Sequence, residues 1–118
     1  MELARMAADA IFSKKGMDIA LLDVEELFVL SDVFVIATGT SRPHVQSLAD
    51  QVEEKLREEK GIKPLRSEGR TEAEWVLLDF GDIIVHLFQA SPRDFYGLER
   101  LWADAERIKW AEPAVADG

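Results

Sequence analysis

The stretch from Trp75 to Phe88 restricts the fold more than any other part of this 118-residue chain. Trp75-Val76-Leu77-Leu78-Asp79 runs into Phe80-Gly81, and Asp82-Ile83-Ile84-Val85-His86-Leu87-Phe88 comes next. Two β-favouring apolar runs on either side of a glycine predict a hairpin whose tight turn uses Gly81 at positive φ. A two-residue turn at Phe80-Gly81 sets Asp79 opposite Asp82, Leu77 opposite Ile84 and Trp75 opposite His86. Those six side chains then share one mixed face. Val76, Leu78, Ile83 and Val85 share the other, which is aliphatic and belongs to the core. A hairpin brings antiparallel pairing, so the sheet is not purely parallel.

The remaining elements are built around that hairpin. Leu3, Met6, Ala7, Ala10 and Ile11 recur at helical spacing. Lys14 and Lys15 fall in the expected last turn, where cations suit the helix dipole, and Gly16 stands where a left-handed cap is expected. Met17 to Asp23 reads as a strand, with Ile19, Leu21 and Asp23 on one side and Asp18, Ala20 and Leu22 on the other. Val33 to Thr38 is an almost wholly apolar strand, a pattern that belongs inside a sheet. Residues 24–32 between them are part connection and part strand extension. Ser41 is an N-cap and Pro43 suits a first helical turn. That helix runs to Lys60, buries Val45, Leu48, Ala49, Val52 and Leu56, and is capped by Gly61. Residues 62–67 form a short strand, placed at an edge because Pro64 cannot donate to a ladder. Ser91-Pro92 opens a last helix, with Asp94 completing a capping box and Phe95, Leu98, Leu101, Trp102, Ala105 and Ile108 as its apolar positions. Gly97 weakens that run and allows a short turn before a longer helix. The order predicts an α/β (α+β) fold, a mixed five-stranded sheet packed with helices, as one domain over residues 1–110. Residues 111–118 are small, polar and interrupted by proline, and a disordered tail is expected there.

Charge narrows the function. Acidic residues number 23 and basic residues 14, a formal net charge of −9. Such a chain is repelled by bare nucleic acid and by anionic membrane surfaces, and a basic protein is the partner it favours. There is no cysteine, so thiolate chemistry and disulfides are excluded. No apolar run approaches the about 18 residues of a membrane helix. The N-terminal residues lack a signal-peptide pattern, and a cytoplasmic protein is expected. Gly39-Thr40-Ser41 follows a strand and opens a helix, a place where anions bind. It matches neither glycine-rich phosphate motif, and a turn with an N-cap accounts for it. His44 lies off the apolar stripe and reads as a surface residue. His86 with Asp79 or Asp82 is a thin metal set. The better expectation is that His86 packs on Trp75 and makes a polar contact. Asp79 and Asp82 are ordinary turn residues, free to meet a cationic partner. No nucleophile elbow is present. The late part of the chain is loaded with aromatics (Trp75, Phe80, Phe88, Phe95, Tyr96, Trp102, Trp110), more than one layer of this size buries. A binding module is favoured over an enzyme, with no catalytic, cofactor or metal residues assigned.

Several segments together resemble the ribosomal silencing factor family, also called the Iojap family. They are Asp18-Ile19 with Leu22-Asp23-Val24; Ser31-Asp32-Val33-Phe34-Val35-Ile36-Ala37-Thr38-Gly39-Thr40-Ser41 with His44-Val45 and Ala49-Asp50; Glu68-Gly69; Trp75 to Asp79 with Gly81-Asp82 and Val85-His86; and Arg93, Phe95-Tyr96, Leu98-Glu99, Leu101-Trp102 and Asp104-Ala105. The similarity covers nearly the whole chain. It implies a nucleotidyltransferase-like fold and no enzymatic activity. It also implies binding to the large ribosomal subunit through its fourteenth protein, steric blocking of small-subunit joining, and repression of translation when nutrients are short. Organelle relatives imply a link to large-subunit assembly. The alternative is a nucleotidyltransferase-like or metal-dependent phosphoryl-transfer enzyme. Against it, the Gly-Ser element and the strand with two alternating acids are missing, since the first acid after Ser41 is Asp50, on the predicted helix.

An acidic chain reaches a ribosome through a basic ribosomal protein, with little direct RNA contact. The mixed hairpin face is the expected partner-binding surface. Trp75, Leu77, Ile84 and Phe88 supply apolar area, and Asp79, Asp82 and Glu99 meet Lys or Arg. His86, Arg93, Tyr96 and Trp102 complete or support the patch. An exposed patch of this kind also suggests a weak homodimer.

Overall fold

The computed structural model describes residues 2–26, 31–101 and 103–110, with the backbone alone at Phe95 and Leu101. In chain order the elements are α1 (Glu2–Ser13), β1 (Met17–Asp23), β2 (Val33–Gly39), α2 (Arg42–Lys60), β3 (Arg66–Glu68), β4 (Trp75–Asp79), β5 (Ile83–Gln89), α3 (Ala90–Tyr96), α4 (Leu98–Leu101) and β6 (Glu106–Ile108). The strands form a mixed sheet in the order β3-β4-β5-β2-β1-β6. β2 lies in its middle, parallel to β5 and antiparallel to β1. Every residue of β2 is buried, as its unbroken apolar pattern requires.

α1 and α2 cover one face of the sheet. Ala4, Ala7, Ala8 and Ile11 of α1 meet Val45, Leu48, Ala49, Val52 and Leu56 of α2 over Val33, Val35, Val76, Leu78, Val85 and Leu87. The alanines of α1 let the helices approach closely, and the aliphatic side of the hairpin lies in this core as expected. α2 is bounded as its sequence requires. The Ser41 hydroxyl accepts the His44 amide at 3.3 Å, and Gly61 closes the helix at φ 66°. Among the described residues no helix is long and apolar enough to cross a membrane.

Five expectations are corrected. The short edge strand is Arg66–Glu68 and not residues 62–67, so Pro64 precedes it and its missing donor is not what makes β3 an edge. The sheet has six strands and not five, because Glu106–Ile108 pairs antiparallel with β1 where a helix was expected. Gly97 adopts φ 57° and its amide donates to the Arg93 carbonyl, which stops α3 after one short run. α4 lasts only 4 residues. The open edge of β1 then takes up the chain, since paired backbone groups outweigh a weak helical period. The capping box does not form either: α3 starts after Gln89, with no side-chain cap.

The hairpin turn lies one residue further on, at Gly81-Asp82, where the Phe80 amide donates to the Ile83 carbonyl at 3.0 Å and Gly81 has φ 89°. Leu77 therefore pairs with His86 and Trp75 with Phe88. This is a two-position slip, and with a period of two it returns every side chain to its expected face.

The end of α1 differs as well. Lys15, not Gly16, takes the left-handed conformation (φ 65°), and Lys14 and Lys15 lie beyond the helix. Gly16 is needed for a different reason: a Cβ there would stand 2.2 Å from Ile11 Cγ2. Gly16→Ala is therefore expected to cost about 1–3 kcal/mol by overpacking. Lys15→Gly should relieve a strained residue and gain up to about 1 kcal/mol. Urea denaturation of the two variants checks both; the reverse order would show that Gly16 is the cap after all.

Candidate partner-docking face

The second face of the sheet is covered less completely. Leu22, Val24, Phe34, Ile36, Ile84 and Phe88 form a smaller core there with Leu98 of α4, and Trp75, Leu77 and Ala105 pack on it partly buried. The mixed hairpin face belongs to this side. It has two levels. The β5 residues Ile84, His86 and Phe88 are buried, whereas Trp75, Leu77 and Asp79 of β4, nearer the sheet edge, are half-buried. Tyr96, at the end of α3, is 50% exposed. Asp82 is exposed in the turn. Asp79 accepts the Gly81 amide at 2.9 Å and stands 3.8 Å from Arg66. It shapes the turn and keeps part of its carboxylate towards solvent.

The aromatic side chains interlock. The Trp75 ring stacks on Phe88 with centroids 5.0 Å apart and 28° between planes, and Tyr96 lies 4.9 Å from Trp75. The Trp75 indole N–H donates to His86 Nδ1 at 3.1 Å. His86 also meets Phe34 edge-on, at 4.7 Å and 67°. His86 thus packs beside Trp75 and makes a polar contact, as expected, and the structure shows that the partner in that contact is the Trp75 indole itself. Burial pushes the His86 pKa from 6.5 down to about 3, because a low-dielectric site disfavours imidazolium. With Nδ1 accepting, the single proton of the neutral ring sits on Nε2. That nitrogen is buried and has no hydrogen-bond partner among the described residues.

Arg93 and Glu99 hold the cover on this face. The Arg93 guanidinium donates from Nε to Glu99 Oε1 at 2.9 Å, and its Nη2 stands 2.8 Å from the same oxygen in an ion pair. Its Nη1 donates to the Asp18 carbonyl and to Thr38 Oγ1, both at 2.7 Å. Glu99 Oε2 accepts from Arg107 Nη2 at 2.9 Å. One guanidinium therefore joins α3 and α4 to β1 and β2, and Glu99 extends the link to β6. Thr38, Asp18 and Arg107 are not among the site residues expected from the sequence. Asp18 joins through its carbonyl at a positive-φ residue of irregular β1, a feature no side-chain pattern reveals. Trp102 lies outside the described residues.

The Gly39-Thr40-Ser41 turn is filled by the chain itself. His44 Nδ1 accepts the Thr40 amide at 2.8 Å, and Nε2 lies 2.7 Å from the Lys14 carbonyl. His44 thereby joins the start of α2 to the end of α1. Among the described residues no three His, Asp or Glu side chains converge as metal ligands would.

A family model described as "Ribosomal silencing factor during starvation" matches residues 1–117. This chain belongs to the ribosomal silencing factor family. It is 37% identical over 108 residues to the ribosomal silencing factor of Halalkalibacterium halodurans, covering 92% of each chain. It is 36% identical over 109 residues to the chloroplastic Iojap protein of Arabidopsis thaliana, covering 92% of this chain and 43% of that one. A crystal structure of a Chromobacterium violaceum protein matches 99% of this chain and 92% of its own, with a TM-score of 0.83 and 38% identity. The family is one of translation regulators associated with the ribosome, and bacterial relatives such as that of Halalkalibacterium halodurans carry the name of a silencing factor rather than of an enzyme.

The buried imidazole has a consequence for any silencing factor built this way. An unfolded chain protonates His86 near 6.5 and the folded one only near 3. Its neutral form stabilises the fold fully above about pH 6.5, and that contribution is lost as pH falls towards about 3. Lowering the pH from 7 to 5 is expected to cost about 2 kcal/mol through this residue alone. Urea midpoints for the wild type and His86→Leu at both pH values check this. Equal pH slopes for the two proteins would show that His86 does not titrate on unfolding.

Proposed function

We propose that this silencing factor binds the large ribosomal subunit through a basic ribosomal protein, the fourteenth, using the Trp75–Leu77–Tyr96 face, and thereby blocks joining of the small subunit. The observation that carries this reading is the incomplete cover of the second sheet face. Half-buried Trp75 and Leu77 and half-exposed Tyr96 stand together there, with Asp79 and exposed Asp82 at the hairpin end. Aromatic anchors with an acidic rim fit a basic protein surface. The net charge of −9 opposes direct contact with ribosomal RNA. Ile84 and Phe88 support the patch from below, and Arg93 and Glu99 hold α3, and so Tyr96, over the sheet. The same apolar area is available to a second copy of the chain, so a weak homodimer competes with the ribosome for this face.

Sedimentation with separated subunits on sucrose gradients tests the reading. The protein should migrate with large subunits alone and reduce the yield of joined ribosomes. Tyr96→Ala is expected to weaken that binding by about 2 kcal/mol, as truncation of an interface aromatic does. Asp82→Asn should mainly slow association and flatten its salt dependence. A folded Tyr96→Ala protein that binds as tightly as the wild type would place the docking face elsewhere.

The enzyme alternative makes the opposite demand. A nucleotidyltransferase-like protein would be stabilised against heat by nucleotide with magnesium. No shift in melting temperature is expected here, and a clear shift would reopen catalysis.

A further inference from the structure

The docking reading leaves His86 without an obvious reason to be a histidine. Its ring is 4% exposed, and it sits among Phe34, Trp75 and Phe88 on the second face. Burying an imidazole there leaves Nε2 without a partner among the described residues. An aliphatic side chain would avoid that penalty. What an aliphatic side chain lacks is an acceptor. Nδ1 is used as one, and its donor is the Trp75 indole at 3.1 Å.

Trp75 is only half-buried, and its N–H turns inward to the buried His86 rather than outward. The observed register places Trp75 opposite Phe88 and diagonal to His86. Stacking on Phe88 alone allows the indole to slide or turn over in the ring plane. The hydrogen bond to Nδ1 removes that freedom and leaves the other side of the indole towards Tyr96. An anchor already held in its bound rotamer does not lose that entropy on binding.

We infer that His86 is a positioning residue for docking: its Nδ1 holds the Trp75 indole in the orientation that the ribosomal partner meets. This rests on the docking reading above. His86 itself is buried and touches no partner. Its effect passes through Trp75. The depressed basicity of the ring agrees with this role, since a neutral imidazole keeps its acceptor throughout the neutral range.

Two readouts on the full chain test the inference. The first is hydrogen exchange of the Trp75 indole N–H by NMR, with its signal assigned by its loss in Trp75→Phe. The second is affinity for purified large subunits. In the wild type the indole proton should exchange slowly. His86→Leu should release it and weaken subunit binding by about three- to tenfold, the usual worth of one hydrogen bond. His86→Gln, which restores an acceptor, should recover part of both.

Folded His86→Leu protein with wild-type affinity overturns the inference, as does rapid indole exchange in the wild type. A lower melting temperature with unchanged affinity is the signature of a purely structural histidine and also overturns it. If His86→Leu does not fold, His86→Phe takes its place, because it keeps a ring and deletes the acceptor. It must lose affinity to a similar extent, and unchanged affinity refutes the inference. Wild-type protein that does not bind large subunits brings down the docking reading itself, whatever the indole exchange shows.

Discussion

Burial of β2 along its whole length is the constraint on which the rest of this structure depends. A strand with no exposed residue must be paired on both sides and covered on both faces. β1 and β5 supply the pairing. α1 and α2 cover one face with closely packed small and aliphatic side chains. Among the described residues, cover for the other face comes from two short helices beyond β5, α3 and α4. The thin cover is what leaves aromatic surface near solvent.

That thin cover is held by polar contacts more than by apolar area. Arg93 reaches a carbonyl in β1, a hydroxyl in β2 and a carboxylate in α4 at once. A guanidinium with its donors satisfied in this way ties the short helices α3 and α4 to the two strands, where they bury only a small core. Tyr96 sits three positions beyond Arg93 on the same helix, so its place over Trp75 depends on that anchor. Fold and proposed docking surface are thus linked through one side chain that itself points inward.

Much of the architecture is legible in the sequence because it rests on local rules. The apolar run of β2, the Ser41 and Gly61 caps and the two faces of the hairpin each depend on neighbouring residues. The hairpin turn lies one residue from its expected place, yet the faces survive, because the resulting slip equals the period of the strand. β6 is not legible. Residues 98–108 carry a weak helical period, and only the unpaired edge of β1, far away in sequence, makes a strand the better outcome. The end of α1 departs from expectation for a similar reason: the glycine is required by the packing of Ile11 against the return of the chain, not by its own φ.

For the site, sequence pattern separates the mixed hairpin face from the aliphatic one but does not rank its members. Alternation gives Trp75, Leu77, Ile84, His86 and Phe88 the same status. Position across the sheet then divides them. β5 lies inside and its residues are buried, while β4 lies one strand from the edge and its residues are half-covered. Composition and periodicity by themselves determined the class of fold, the acidic character of the surface and which side chains share a face, since each is a property of the chain or of its near neighbours. Only the tertiary structure decided which of those side chains reach solvent, that Arg93 and Glu99 work inward, and that His86 meets the Trp75 indole. Those outcomes depend on which distant strands and helices come to lie alongside, and no local pattern records that.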